Sequence, residues 1–299
     1  MTYLVTGATG FIGVRLVREL LTRGHAVYYL ARRRSTHLPS QAAFHPWAEG
    51  GKPDLTALSR IDAVFHLAGE PIAQRWSQET KTRIYDSRVE GTRNLVVALR
   101  ELAHRPAVLV SASAVGYYGD RGNEVLDESK GPGTDFLAEV CRDWEREASR
   151  ARELGMRVVT TRIATVIGRE GGALKQMLPV FRLGLGGRFG RGEQWVSWIH
   201  ADDLVRLFLF AADTVAVAGP VNASSPQPVT NEQFTRALAR SVHRPALLPV
   251  PRFAMRLLLG EMADFMFTSL RVVPEAAERA GFRFEYPEID KALQTALAR

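Results

Sequence analysis

Tyr3-Leu4-Val5-Thr6-Gly7-Ala8-Thr9-Gly10-Phe11-Ile12-Gly13-Val14-Arg15-Leu16-Val17-Arg18-Glu19-Leu20-Leu21 decides the fold. A short apolar run, a glycine-rich turn and an apolar stripe at helical spacing read as strand, turn and helix. Gly7, Gly10 and Gly13 are spaced G-x-x-G-x-x-G. The first permits a tight turn, the second a close approach of backbone to a pyrophosphate, the third close packing of helix on sheet. Amides at the helix start would then face phosphates, aided by the helix dipole. The strand before and the helix after are the context that a dinucleotide site requires.

The next strand settles which dinucleotide is expected. Gly24 closes the first helix, and His25-Ala26-Val27-Tyr28-Tyr29-Leu30 follows as a strand. An NAD site would carry an Asp or Glu at its end to accept from the ribose hydroxyls. Here the chain reads Ala31-Arg32-Arg33-Arg34. Guanidinium groups bind a 2′-phosphate bidentately, so NADP(H) is expected in preference to NAD(H).

Of 299 residues, 46% are hydrophobic and 24% charged, ordinary values for a globular chain with room for about two domains. The first strand begins directly after Met1-Thr2, and Cys141 is the lone cysteine, so neither a leader nor an intrachain disulfide is expected. A cytoplasmic location fits both features. No apolar run is long enough to span a bilayer, and no Cys/His cluster has metal-ligand spacing. The net charge of +7 is dispersed along the chain apart from Arg32-Arg33-Arg34, without a basic tail or interleaved aromatic–basic motif. It reads as a solvated surface with a phosphate site rather than a nucleic-acid surface.

Strand and helix patterns alternate onward. Ile61–Gly69 reads as a buried strand ending in a small-residue turn, Gln78–Leu102 as a long helix and Ala107–Ser111 as a strand. Asp135–Arg152 reads as a helix with Trp144 inward, and Met156–Arg162 as a further strand. This order predicts an α/β fold, a Rossmann-type doubly wound parallel sheet. A glycine-rich stretch from Gly184 to Gly192 contains no Gly-Lys-Ser/Thr, which excludes a P-loop. A helix is expected over Leu204–Ala212, and Thr230-Asn231-Glu232-Gln233 is a capping box opening another. The division expected is residues 1–170 with about 195–224 as the nucleotide-binding domain. Residues 171–194 and 225–299 would form a smaller, mostly helical substrate domain.

The N-terminal motif, the Leu67-Ala68-Gly69 turn and Trp198-Ile199-His200-Ala201-Asp202-Asp203 together resemble the extended short-chain dehydrogenase/reductase superfamily, which includes the NAD(P)-dependent epimerases and dehydratases. Gly69-Glu70-Pro71, Arg75-Trp76, Ser87-Arg88, Ser111 to Gly119, Gly184-Leu185-Gly186-Gly187 and Pro274-Glu275 to Gly281-Phe282 are similar to one atypical epimerase-like subfamily with a characteristic C-terminal domain. Some of its members are labelled cell-division inhibitor homologues. The resemblance implies that Gly7, Gly10, Phe11, Ile12 and Gly13 line the pyrophosphate, and that Ala31 and Arg32, with Arg33 beside them, meet the 2′-phosphate. It implies that Leu67, Ala68 and Gly69 pass along the adenosine-side ribose, that Arg88 and Arg83 reach toward the cofactor from the long helix, and that Val166 packs near the nicotinamide.

The superfamily moves a hydride with help from a Ser/Thr and a Tyr-x-x-x-Lys pair on the helix after the fifth strand. That spacing puts both groups on one helix face, where the Lys charge lowers the Tyr pKa. No tyrosine here has a lysine four residues later, and the expected helix, Asp135 to Glu145, contains neither residue. By position, Ser113 stands where the superfamily keeps its hydroxyl, and Tyr117 and Tyr118 follow in the same loop. These three either handle the proton or serve local packing, with Glu139 and Cys141 as alternative acid–base groups. A strand-end His200 beside Asp202 reads as structural. The expectation is an NADP(H)-dependent oxidoreductase or epimerase-like enzyme for an unidentified small hydroxyl- or carbonyl-bearing substrate, with no nucleic-acid, membrane or metal partner. The alternative is an NADP(H)-binding regulatory or scaffold protein without turnover.

Overall fold

In the computed structural model, which describes every residue except Glu49, Ser59, Leu247 and Arg299, seven strands form one parallel sheet. β1 (Thr2–Thr6), β2 (Ala26–Ala31), β3 (Ala43–Pro46), β4 (Ala63–His66) and β5 (Val108–Ala114) come first in the chain. After a two-residue β6 (Val125–Leu126), β7 (Arg157–Ile163) joins the sheet. Three short strands, β8 (Thr165–Ile167), β9 (Trp195–Val196) and β10 (Trp198–His200), precede its last strand, β11 (Gly219–Ala223). The order is β11-β7-β5-β4-β1-β2-β3. The order reverses between β1 and β4, and open α/β sheets bind their ligands at such a switch point, outside the carboxyl ends of the strands.

Alternation along each strand explains the two-sided burial. Tyr3 and Val5 of β1 pack with Leu16, Val17 and Leu20 of α1 (Phe11–Thr22) and with Leu204 and Phe208 of a later helix. Leu4 points the other way, to Leu95 and Leu99 of α2 (Gln78–Arg100) and Ala148 of α3 (Phe136–Ser149). A parallel sheet covered on both faces reads as continuous apolar sequence, as these strands do. β5 runs past the expected Ser111, because Ala112, Ser113 and Ala114 pair with Thr161, Arg162 and Ile163 of β7.

Much of the remaining chain packs into a further core of its own. Leu174, Leu178 and Phe181 of α4 (Gly172–Arg182) pack around Trp198. α5 (Ala201–Asp213) begins three residues before the expected Leu204, since His200 Nδ1 caps it by accepting from the Asp202 amide at 3.2 Å. Beyond β12 (Val229–Thr230), α6 (Asn231–Ser241) opens on the expected capping box of Thr230 and Gln233. α7 (Arg252–Leu259), α8 (Met262–Phe265), β13 (Arg271–Val272), α9 (Glu275–Arg279) and α10 (Ile289–Ala298) follow. β6 pairs with β13, and the buried Asp203 carboxylate accepts from the amides of Glu285 and Tyr286 at 2.9 Å, so the C-terminal segment is tied to the sheet half. Among the described residues no helix is long and apolar enough to cross a membrane, and no group of His, Cys, Asp or Glu is arranged to hold a metal ion.

Candidate functional site

The glycine turn closes on the backbone of the neighbouring strand. Gly7 has φ +66°, and a Cβ there would lie 2.5 Å from the carbonyl carbon and oxygen of Leu67. A Cβ on Gly13 would lie 2.2 Å from Gly7 O. These two positions exclude any side chain, so the turns after β1 and β4 lie against each other and α1 sits down on the first turn. Gly10 caps α1 without a side chain, its own amide bonded to Gly7 O at 3.0 Å. The first-turn amides of a helix have no intrahelical acceptor, and here no cap side chain takes one. Thr9 and Gly10 are exposed, Phe11 and Ile12 half-buried. Such an arrangement can cradle an anion.

A buried hydrogen-bond chain fixes the turn after β4. Thr6 Oγ1 accepts from the amides of Leu67 and Ala68, both at 3.2 Å, and lies 2.6 Å from His66 Nδ1. His66 Nε2 lies 2.8 Å from Thr92 Oγ1, whose hydroxyl donates to Arg88 O. One proton arrangement satisfies the whole chain: Thr6 donates to Nδ1 and Nε2–H donates to Thr92. Burial pushes the His66 pKa down to about 3, which keeps the imidazole neutral as this arrangement needs.

Arg88 lies under the same turn. It is 8% exposed, donates to Glu70 O at 2.9 Å, and its guanidinium carbon is 3.0 Å from where a Gly69 Cβ would be. Trp144 packs against it, 5.3 Å from ring centre to guanidinium. Burial pulls its pKa downward, and among the described residues no carboxylate is within ion-pair distance. Arg83, one turn nearer the helix start, is half-exposed and pairs with Glu79 at 2.8 Å and Glu70 at 3.7 Å. Ala31 ends β2, with Arg32 and Arg33 exposed just beyond it. Val166 is half-buried on β8, paired with Ile199.

Further along the edge, three adjacent strands place Ser113, Arg162 and Asn222 side by side in register. Ser113 Oγ donates to Glu145 Oε1 at 2.7 Å. Arg162 donates to both Glu145 oxygens, at 2.9 and 3.0 Å, and to the Tyr118 hydroxyl at 2.9 Å. That hydroxyl donates to Asn222 Oδ1 at 2.7 Å. Tyr118 is fully buried, and burial pushes its pKa up to about 12. Tyr117 is only half-buried; its ring lies face-on to the Arg162 guanidinium at 3.5 Å, and among the described residues its hydroxyl has no hydrogen-bond partner. Sequence position grouped Ser113, Tyr117 and Tyr118; the structure ties the first and last into a buried network and leaves the middle one its hydroxyl.

The face of α3 toward this network carries Leu137, Cys141 and Glu145 at i, i+4 and i+8. Leu137 Cβ is 3.3 Å from where a Gly116 Cβ would be, and Glu145 bonds Ser113. Cys141 is held as a thiol, its pKa pushed up to about 12 by burial and then by the Glu145 charge. Glu139 is exposed.

These features have counterparts among known proteins. The NAD dependent epimerase/dehydratase family matches residues 3–223, and a domain of unknown function, DUF1731, matches residues 250–296. The chain belongs to the epimerase/dehydratase family. It is 40% identical to an epimerase family protein of Mycobacterium leprae over 298 residues, 99% of this chain and 95% of that relative. A chloroplastic SDR39U1 homologue of Arabidopsis thaliana is 41% identical over 306 residues, 98% of this chain and 86% of its own. Among solved structures, human epimerase family protein SDR39U1 (isoform 2) with NADPH superposes with a TM-score of 0.91 at 31% identity, covering 100% of this chain and 99% of that one.

Within this epimerase-family crevice, sequence reasoning passed over several residues. Glu145 and Arg162 form its buried ion pair; a charged residue next to the carboxyl end of a central parallel strand was the available signal. Gly168 and Gly171 make room for Phe11, since a Cβ on either would lie 2.4 Å from its ring. Arg15 ties α1 to the far side of the crevice through Asp202 and Glu170, both at 2.6 Å. Glu128, whose pKa burial raises, accepts from the amides of Asn222 at 2.8 Å and Ala276 at 3.1 Å.

Proposed function

We propose that this chain binds NADP(H) between the ends of β1 and β4 and acts as an oxidoreductase or epimerase-like enzyme on a small hydroxyl- or carbonyl-bearing molecule. The observation that carries the reading is the glycine cradle beside a buried Arg88 that has no carboxylate partner among the described residues. An uncompensated buried charge is destabilising, and an anionic ligand in the crevice offsets it. The amides of Phe11, Ile12 and Gly13, beyond Gly7 and Gly10, would take the pyrophosphate, and Ala31, Arg32 and Arg33 the 2′-phosphate. Leu67, Ala68 and Gly69 would pass along the ribose, Arg83 and Arg88 add positive charge, and Val166 contact the nicotinamide. The similarity to a protein crystallised with NADPH supports the phosphorylated cofactor. When bound, the nicotinamide supplies hydride transfer.

Tyr117 is the proton-handling group in this reading. Among the described residues its hydroxyl is uncommitted while its ring is held by Arg162, so it can give a proton to, or take one from, a substrate oxygen. Residues 1–170 with 195–224 would hold the cofactor, and 171–194 with 225–299 the substrate. A regulatory role without turnover is the second reading, favoured by an α3 face of Leu137, Cys141 and Glu145 where the superfamily has its Tyr and Lys.

Titration of NADPH and NADH by nicotinamide fluorescence tests the cofactor. NADPH binds tighter, and Arg32→Ala weakens NADPH by about tenfold or more while leaving NADH unchanged. Equal affinity for the two overturns the preference. A crystal structure with NADP(H) separates the two roles: Tyr117 Oη facing the nicotinamide C4 across an open space supports the enzyme, and a nicotinamide walled only by apolar groups supports the regulator.

A further inference from the structure

A cavity of about 750 Å³ opens beside α6, and it shares no lining residue with the dinucleotide crevice. Arg188, Arg236, Arg240 and Arg244 line it against a single carboxylate, Glu232. Two of these guanidiniums are answered: Arg236 by Glu232 at 2.8 Å and Arg240 by Asp290 at 2.7 Å. Among the described residues Arg244 reaches only carbonyl oxygens, of Arg182 at 3.1 Å and His243 at 3.2 Å. Arg188 is half-buried, and among the described residues its guanidinium has no hydrogen-bond or ion-pair partner.

A second, independent feature lies on the same wall. Thr235 is 2% exposed, and among the described residues its Oγ1 has no hydrogen-bond partner. A buried hydroxyl left unpaired is destabilising, and native folds pair nearly all of them. At the rim, His243 ends α6 in the left-handed region, with φ +54°. Its amide bonds to Arg240 O at 3.0 Å and that of Arg244 to Ala239 O at 3.1 Å, a helix terminus where glycine is the usual occupant. The chain keeps an imidazole there instead.

We propose that this cavity is a binding site for a phosphate-bearing small molecule, with Arg188 as its principal anchor. Guanidinium groups take phosphate oxygens bidentately. Among the described residues Arg188 and Arg244 have that capacity uncommitted to carboxylates, the unpaired Thr235 hydroxyl lies in the wall, and Ala239, Pro245 and Ala246 give the organic part an apolar wall. The volume is in the range of small-molecule sites. The site stands independently of the dinucleotide reading, since none of its residues belongs to the crevice.

Calorimetric titration of the full chain, saturated with NADP+, tests it with two probes, inorganic pyrophosphate and phenyl phosphate. At least one binds, and Arg188→Gln weakens it by about tenfold or more. Tighter pyrophosphate assigns the site to an inorganic or terminal polyphosphate; tighter phenyl phosphate assigns it to an ester with an apolar body. Thr235→Val keeps the side-chain shape, so it lowers probe affinity without lowering the melting temperature. The exposed Arg152→Gln, outside the cavity, leaves affinity unchanged. No binding of either probe, equal weakening by Arg152→Gln, or loss of binding when NADP+ saturates the chain each overturns the proposal.

Discussion

Arg162 and Glu145 meet through two hydrogen bonds, of 2.9 and 3.0 Å, with side chains only 4% and 13% exposed. The pair stands at the carboxyl end of β7, with Ser113 on one side and Tyr118 on the other. It places a guanidinium near the crevice, neutralised by Glu145, on a strand rather than on α3. The Arg162 pKa is raised well beyond the usual arginine range, since the Glu145 bond and charge outweigh desolvation, so this charge does not titrate.

Removing one partner leaves the other buried and uncompensated, which is why breaking such a pair is costly. Glu145→Ala is expected to destabilise the protein by about 3–5 kcal/mol in chemical denaturation. The double variant Glu145→Leu with Arg162→Met recovers part of that loss, because it removes both charges. A single variant as stable as the wild type means that water reaches the pair.

The glycines separate two kinds of strain. Gly7 and Gly24 both have positive φ, but an added Cβ meets backbone at 2.5 Å in the first and nothing within 4 Å in the second. Gly24→Ala is therefore expected to cost about 1 kcal/mol and leave NADPH affinity unchanged. Gly7→Ala must push the Leu67 turn away, and NADPH affinity falls by at least about tenfold. Parallel thermal melts and fluorescence titrations of the two variants distinguish these effects.

His66 makes stability depend on pH. Its folded pKa is about 3, against about 6.5 in an unfolded chain. Between those values the unfolded state binds a proton that the native state refuses. The stability present above pH 6.5 is thus lost progressively as pH falls toward 3, by about 2 kcal/mol between pH 7 and 5. The imidazole NMR signals should report a neutral ring throughout that interval. His66→Gln flattens the pH dependence; an equally steep profile in that variant means that His66 is not its source.

The local rules carried far along this chain. The strand–turn–helix start, the Gly24 terminus and the Thr230–Gln233 capping box depend on neighbouring residues, so the sequence shows them directly. The site's chemistry was legible only in part. Glu145 and Arg162 come together because α3 lies over β7, which no spacing rule encodes. Likewise, sequence cannot tell which of two adjacent phenols turns inward. The short 3₁₀ turn Val115–Tyr118 decides it by sending Tyr118 under the sheet edge and Tyr117 across Arg162. The vacant coordination of Arg188 and Thr235 depends on residues around α6 that are distant from one another in sequence.

Tyr117 and Tyr118 differ by one bond environment, and that difference can be measured. Tyr118→Phe strips Asn222 Oδ1 of its donor and Arg162 of an acceptor inside the fold, so it is expected to cost about 1–3 kcal/mol of stability. Tyr117→Phe keeps the ring over Arg162 and removes a hydroxyl that no group among the described residues uses, so stability changes by less than about 0.5 kcal/mol. With a turned-over substrate the order reverses. Tyr117→Phe then lowers kcat by about 100-fold or more at unchanged NADPH affinity, the loss expected when a general acid–base group is removed. Ser113→Ala, which removes one of the two donors to Glu145 Oε1, shifts stability more than rate. If Tyr117→Phe retains full turnover, the phenol is a packing group, and Glu139, exposed on the first turn of α3, is the next candidate.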